Sequence, residues 1–334
     1  MGFVNFEKGF FSMPHLSGIT VYPVKSLDGI ELEEVTVLQC GALANDRRWR
    51  LIDAEGVVVN AKRNNRFHAI QADFHLEDSR NHLTTASVHC ENSVTLSLNE
   101  SFLSEKMGNH SPEAFPLVPG SDGPCGWLSE VLDEKVFLQE CVDGGFPDDR
   151  DAAGPTIISA ESLLEVASWF DLSIDEVRNR FRMNLELLRD ENDQVANIQG
   201  HSTGNRQLFD VPFWEDALAY PVSSDALEDP GLDYIADVAP VSPAPFWLGG
   251  IEFYARGTCR RCVVPTRDRL TGIATKNFRE VFEARRSHLL PINVITRTWS
   301  DYFCLGVNTS IEKLSGDRLA IGDQFSCDRP MPKT

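Results

Sequence analysis

The chain has 334 residues, 42% apolar and 24% charged, an ordinary globular composition with length enough for two domains. Its 31 basic residues stand against 50 acidic ones, a net charge of −19, and this excludes stable nucleic-acid binding, which needs a basic face to displace counterions. No apolar run reaches the ~18–20 residues of a membrane span. The opening MGFVNFEKGFFSMPHLSG lacks the basic start, apolar core and small-residue cleavage site of a secretory signal. Residues 1–13 therefore read as an N-terminal extension, with Met13 as an alternative start, and no membrane anchor is expected. The eight cysteines are scattered, with one close pair, so free thiols in a reducing compartment, the cytoplasm, are expected.

In chain order, the first 140 residues read mostly as strands. LSGITVYPVKSL alternates around Ile19 and Val21, and ELEEVTVLQC supplies Leu32, Val35 and Val37. RRWRLIDAEGVVVNAKR alternates at Trp49 and Leu51, turns at Asp53–Gly56 and resumes at Val57 and Val59, which predicts a hairpin. HLTTASVHC and NSVTLSL read as another strand pair. Many short strands separated by turns point to an antiparallel barrel or sandwich. DGGFPDDRDAAGP, rich in Gly, Pro and Asp, reads as a domain boundary. SAESLLEVASWF then predicts a helix capped by Ser159, with Leu163, Ala167 and Phe170 on one face and Leu164 beside them. SIDEVRNRF predicts a second helix, its capping box made by Ser173 and Glu176. RFRMNLELL leads into a strand, 189–207 reads as a polar loop, and an amphipathic stretch lies near 276–287. DRLAIGDQF closes the chain as strands.

The chemistry-bearing stretch is GTCRRCVVPTRDRLTG, residues 257–272. Zinc normally takes four Cys or His ligands in pairs, and no second Cys-x-x-Cys or His-x-x-x-His pair is present. A dithiol redox pair belongs in a strand–turn–helix setting, whereas this one is strand-rich with a Pro soon after. A third reading is a single working thiol, Cys262 beside Arg261, because positive charge supports thiolates and thiolates are soft metal ligands. A buried structural cysteine is the fourth. Basic residues also recur at strand ends: Lys25 with Ser26, Arg47 with Arg48, then Lys62, Arg63 and Arg66. Converging, they would make an anion cradle; taken alone, they read first as solubilising charge. Arg182 and Asn184 in FRMN pose the same choice. There is no Gly-x-Gly-x-x-Gly and no Walker loop.

The order VYPVKS, NDRRW, SAESLLEV, FRMN and CRRCVVPTRDRLTG resembles proteins with a MOSC domain, named for the molybdenum cofactor sulfurase C-terminal region. The arrangement is similar to the two-part form found in the mitochondrial amidoxime reducing components and their bacterial counterparts, over about residues 14 to 328. The resemblance implies a mainly β fold with some helices (α+β). A MOSC N-terminal β-barrel domain over 14–142 would pack on a MOSC β-barrel domain over 150–328, with a cofactor in the cleft between them.

The same resemblance implies a molybdenum cofactor, a pterin whose dithiolene holds the metal and whose tail carries a phosphate. Cys262 maps to the family's metal-ligating cysteine, and Cys259 to a position that is not a ligand. Lys25, Ser26, Arg47, Ser159, Arg182 and Asn184 map to cofactor-binding positions, and Arg261 would add charge beside Cys262. Asp268 reads as a turn residue, with proton carriage as its second reading. The implied function is reduction of small N-hydroxylated substrates such as amidoximes, hydroxylamines and N-hydroxylated bases. Electrons would come from a separate donor protein of ferredoxin, flavoprotein or cytochrome b5 type. The alternatives are sulfur transfer through a Cys262 persulfide and a cofactor carrier without turnover.

Overall fold

The structure is a computed structural model and describes residues 13–76, 92–99, 111–119, 123–149, 151–189, 211–220, 244–289, 301–312 and 317–327. Residues 1–12 of the expected extension over 1–13, the strand at HLTTASVHC and most of the polar loop over 189–207 lie outside these residues.

The first part of the chain is built from short strands. β1 is His15–Val21, β2 Ile30–Glu31, β3 Glu34–Thr36, β4 Trp49–Ile52 and β5 Val58–Val59. A 3-10 turn at Asn65–Ala69 leads into β6, Ile70–His75; β7 is Ser93–Leu98, β8 Glu113–Pro116 and β9 Phe137–Glu140. β4 and β5 form the expected hairpin, and β9 pairs with β4 on its other side. Asp53 Oδ1 accepts the backbone N–H groups of Glu55 (3.1 Å) and Val57 (2.8 Å), so the carboxylate closes the turn that Gly56 completes at φ +80°. Val57 differs from expectation: it lies in the turn, 56% exposed, while Val59 is fully buried.

Two features depart from the local reading. ELEEVTVLQC is two strands rather than one, because β2 pairs with β1 and β3 pairs with β15, Arg318–Ala320. The region also holds a helix, α1, Gly123–Leu132, which buries Trp127, Leu128, Val131 and Leu132. Its opening GPCG masks the helical period, since Gly and Pro usually signal a turn.

In the second part, β10 (Ile157–Ser159) runs into α2 (Ala160–Phe170), then α3 (Ile174–Phe181) and β11 (Leu185–Leu188). α4 is Asp216–Ala219, β12 Phe246–Leu248, β13 Ile251–Arg260, α5 Phe278–Arg286, β14 Cys304–Ser310 and β16 Phe325–Ser326. Ser159 Oγ accepts the N–H of Ser162 and Ser173 Oγ that of Glu176, so both helix caps are as expected. Leu164 is not on the buried face of α2. It is 57% exposed, and Val166 is fully buried instead.

The eight-stranded sheet runs β16-β12-β13-β14-β10-β11-β1-β2. It curls until β1 meets the far edge again: Leu16 N–H bonds Asp323 O at 2.8 Å and Phe325 N–H bonds Pro14 O at 2.8 Å. β1 thus joins the C-terminal half while its downstream neighbours build the N-terminal sheets. An irregularity between Leu16 and Gly18 shifts its register against β11, so the buried residues are Leu16, Ile19 and Val21 rather than a strict alternation.

An aromatic cluster fixes the end of α3. Phe181, Phe278, Phe282 and Trp169 pack ring to ring, with Phe181–Phe282 at 5.7 Å and Trp169–Phe282 at 5.2 Å. Deleting one such ring costs about 3–5 kcal/mol. Anchored at Phe181, the chain turns left-handed at Arg182 (φ +56°) and enters β11.

Candidate functional site

A cavity of about 960 Å³ is lined by both parts of the chain. Its walls carry Lys25, Ser26, Arg47, Arg182, Asn184, Arg261, Cys259 and Cys262, so the structure brings together all but two of the site residues expected from sequence.

Tyr22, in VYPVKS, organises one wall. Two guanidinium groups lie over its ring, Arg182 at 4.2 Å and Arg47 at 5.1 Å, and its hydroxyl donates to Met183 O at 3.2 Å. Burial pushes the phenol up to about 12, against the pull of Arg182 and Arg47, so it keeps its proton. Three residues on the wall hold left-handed backbone without being glycine: Ser26 (φ +76°), Arg47 (φ +48°) and Arg182 (φ +56°). Each such residue costs on the order of 1–2 kcal/mol, which the surrounding structure must over-determine.

The two arginines differ in how they are held. Burial works against the charge of Arg47, but Asp46 outweighs it and raises its pKa; Nη1 donates to Asp46 Oδ2 and, at 2.9 Å, to Asn184 Oδ1. Arg182 is lowered from its ordinary value, by burial and by Arg47, despite the favourable neighbour Tyr22. Among the described residues its guanidinium makes no hydrogen bond or ion pair; its partner is the Tyr22 ring. A cation held this way waits for an anion.

Lys25 lies farther along, with Nζ 2.7 Å from Asp148 Oδ1. Burial would raise Asp148, but Lys25 holds it below the usual carboxylate range. Ser26 Oγ accepts from Ala61 N–H at 3.0 Å, which leaves its proton to donate. Asn184 is buried, and both ends of its amide are bonded: Oδ1 takes Arg47 and Thr156, and Nδ2 donates to Thr20 O at 3.0 Å. It therefore positions Arg47 rather than offering free polar atoms.

Also in the lining, β13 ends in the CRRC segment. Arg261 turns back to Cys259, donating from Nη1 to Sγ at 2.8 Å, and reaches Met183 Sδ at 3.6 Å, so it sits on Cys259 rather than on Cys262. Its Nε is buried without a partner. Cys262 is half-buried, and its Sγ has no hydrogen-bond partner among the described residues. None of the described cysteines is in a disulfide. No group of three or more His, Cys, Asp or Glu side chains among the described residues is placed to hold a metal ion.

Two expected residues stand elsewhere. Ser159 does not line the cavity. It is fully buried where it caps α2, and its hydroxyl is bonded to Glu215 Oε2 at 2.9 Å. Asp268 does not line it either: Oδ1 accepts Leu270 N–H (3.1 Å), Thr271 N–H (2.8 Å) and Thr271 Oγ1 (2.8 Å). Burial would raise that carboxyl, yet these bonds from Thr271 and Leu270 hold it low, as suits a turn residue.

Sequence reasoning did not single out Tyr22, His68, Asn99 or Arg267 as site residues. Tyr22 and Arg267 lay inside quoted motifs, so proximity to VYPVKS and CRRC was the available signal. His68 and Asn99 carried none, because only the packing of distant segments joins them.

Residues 13–135 match the family model described as MOSC N-terminal beta barrel domain, so the first part of the chain is a domain of that family. MOSC domains are associated with proteins that bind the molybdenum cofactor. No curated protein matches the chain.

Proposed function

We propose that the protein is a molybdenum-cofactor-binding oxidoreductase that reduces N-hydroxylated compounds, namely amidoximes, hydroxylamines and N-hydroxylated bases. The observation that carries this reading is Arg182, a guanidinium without a hydrogen-bonding partner among the described residues, in a large cavity that Cys262 also lines. In a chain of net charge −19, such a site asks for an anion. The matching N-terminal barrel and the CRRCVVPTRDRLTG motif support the identity of that anion.

The residues present fit the cofactor. Arg182, Arg47, Lys25 and Ser26 would hold its phosphate, since guanidinium–phosphate contacts are strong and directional. Cys262 would ligate the metal, as a thiolate is a soft ligand suited to it. When bound, the cofactor supplies the redox centre for the reduction. The chain's own part is orientation and charge. Asn184 fixes Arg47, the Tyr22 ring carries both arginines, and Arg261 braces the thiol wall.

In this reading residues 14–142 form the MOSC N-terminal barrel domain and 150–328 the MOSC domain. The enzyme is cytoplasmic, and a separate ferredoxin, flavoprotein or cytochrome b5 type of donor brings the electrons. No helix of the described residues is long and apolar enough to cross a membrane.

The test is molybdenum content by plasma mass spectrometry, with pterin fluorescence and benzamidoxime reduction, on wild type and Cys262→Ser from a host that makes the cofactor. Near-stoichiometric metal and pterin are expected in wild type. The variant should show an altered metal spectrum and lose on the order of 100-fold or more in reduction. Loaded wild type that reduces nothing with a competent donor would instead be a carrier. Wild type without metal or pterin, while the host's other molybdoenzymes are loaded, would sink the reductase reading and leave Cys262 as a persulfide carrier.

A further inference from the structure

Two carboxylates meet the cations of the cavity lining, and they are held in unlike ways. Asp46 is built in. Its side chain is 12% exposed, it pairs with Arg47, and its Oδ1 accepts the Tyr22 N–H at 2.9 Å. Asp148 is not. Its side chain is 70% exposed, and its one hydrogen-bonding partner among the described residues is Lys25 Nζ at 2.7 Å.

Asp148 belongs to a strap along the cavity, whose lining includes Gly144, Pro147, Asp148 and Asp149. The strap is anchored where it begins. Gly145 has φ +67°, and a Cβ there would lie 2.8 Å from Arg47 O, so glycine lets the chain pass close to residue 47. Phe146 then donates its N–H to Arg47 O at 2.9 Å, and the Arg50 guanidinium lies 4.0 Å over its ring. Beyond that anchor the hold is the ion pair. Both acceptors of Lys25 Nζ among the described residues, Asp148 Oδ1 and Phe146 O at 3.4 Å, come from this strap.

The Asp148 carboxylate has three cations about it. Burial works to raise its pKa, yet Lys25, Arg47 and Lys62 all act on it and hold it low. Lys62 is exposed and lines the cavity, and its ammonium makes no hydrogen bond or ion pair among the described residues. A carboxylate in such a place brings one charge and two oxygens, where a phosphate brings up to two charges and three oxygens. An ion pair with so exposed a carboxylate is weak, and a phosphate at Lys25 outcompetes it.

We propose that Asp148 is an internal counter-ion at the Lys25 end of the anion cradle, displaced by the phosphate of an incoming ligand, which Lys62 then holds together with Lys25 and Arg47. The 146–149 strap is thereby a gate, seated on Lys25 before loading and swung out beyond Phe146 after it. This rests on the function proposed above, in which the phosphate is the cofactor's. Before loading, Asp148 spares the three cations their mutual repulsion; its weak hold lets the phosphate in.

The test uses the full chain from a host that makes no cofactor, with inorganic pyrophosphate as probe. By calorimetry, Asp148→Asn should bind pyrophosphate about tenfold more tightly than wild type, and Lys62→Met about fivefold more weakly. Asp149→Asn removes the same charge one residue on, from a side chain whose Oδ1 accepts Asp151 N–H at 3.0 Å, and should stay within about twofold of wild type. In a Lys25→Met background, Asp148→Asn should gain less than about twofold. With 13C-carboxyl aspartate, the resonance missing from the Asp148→Asn spectrum should move when wild type is saturated. Equal affinity in wild type and Asp148→Asn, an equal gain in Asp149→Asn, an unmoved Asp148 resonance at saturation, or no pyrophosphate binding to either protein would each overturn the gate. These readouts need neither metal nor turnover. Failure of the reductase reading would show separately, as the expected pyrophosphate pattern in a protein that takes up no molybdenum or pterin from a competent host.

Discussion

Two clusters of buried charge lie in this molecule, and they are finished differently. Glu215, Asp216 and Arg286 are all fully buried. Arg286 pairs with Asp216 through Nη2, reaches Leu289 O from Nη1 at 3.0 Å and lies 3.9 Å over the Phe213 ring. Glu215 Oε2 takes hydroxyl bonds from Ser159 and Ser162, both at 2.9 Å. Arg182, on the cavity wall, has an aromatic ring beside it and, among the described residues, no carboxylate bonded to it. The first cluster pairs its charges in the core, Asp216 with Arg286 and Glu215 Oε2 with two hydroxyls, while Glu215 Oε1 and Asp216 Oδ1 have no hydrogen-bond partner among the described residues. The second is left open on the cavity side, and an open charge is what a ligand can use.

The contrast is sharpest in stability. Arg286→Met should destabilise the protein by about 3–5 kcal/mol in urea, because it strands Asp216 in the core. A loss under about 1 kcal/mol would mean that the cluster is wetter than it looks.

The next effect depends on pH. Burial, reinforced by Asp216, lifts Glu215 from 4.5 to about 7. Its folded pKa lies above its unfolded one, so its contribution to stability is fully present below about pH 4.5 and is lost as pH rises through about 7. Glu215→Gln should therefore gain on wild type across that window, by on the order of 2 kcal/mol, in denaturation curves taken at several pH values. A difference that stays flat with pH would contradict the burial of the acid.

Ser159→Ala should cost about 1 kcal/mol through the lost cap of α2, with cofactor content unchanged. Loss of cofactor without loss of stability would return Ser159 to the binding set.

What was legible in the sequence follows the range of the forces involved. The 49–59 hairpin and the caps at Ser159 and Ser173 were readable because turn chemistry and capping act within a few residues. The pairings of β1 with β11 and of β3 with β15 were not, because nothing local in HLSGITV or EVT names a partner well over a hundred residues away. α1 was hidden by its Gly-Pro-Cys-Gly start. Lys25, Arg47, Arg182 and Cys262 each stood in a recognisable motif, yet only the resemblance joined them before the fold did. Ser159 shows the reverse: its local role as a cap was readable, and its place away from the cavity was not. His68 and Asn99 were silent, since only the packing of distant segments brings them to the cavity lining.

The most direct measurement is Arg182→Met, read twice on the same preparation: retained molybdenum and pterin, and the urea midpoint of the cofactor-free protein. A guanidinium kept for an anion should cost cofactor affinity about tenfold to a hundredfold when removed. The cofactor-free fold should hold its stability within about 0.5 kcal/mol, or gain, because an unfavourable buried charge has gone. A variant that keeps its cofactor, or that unfolds markedly earlier while still binding it, would show that Arg182 belongs to the architecture and that the anion lies elsewhere.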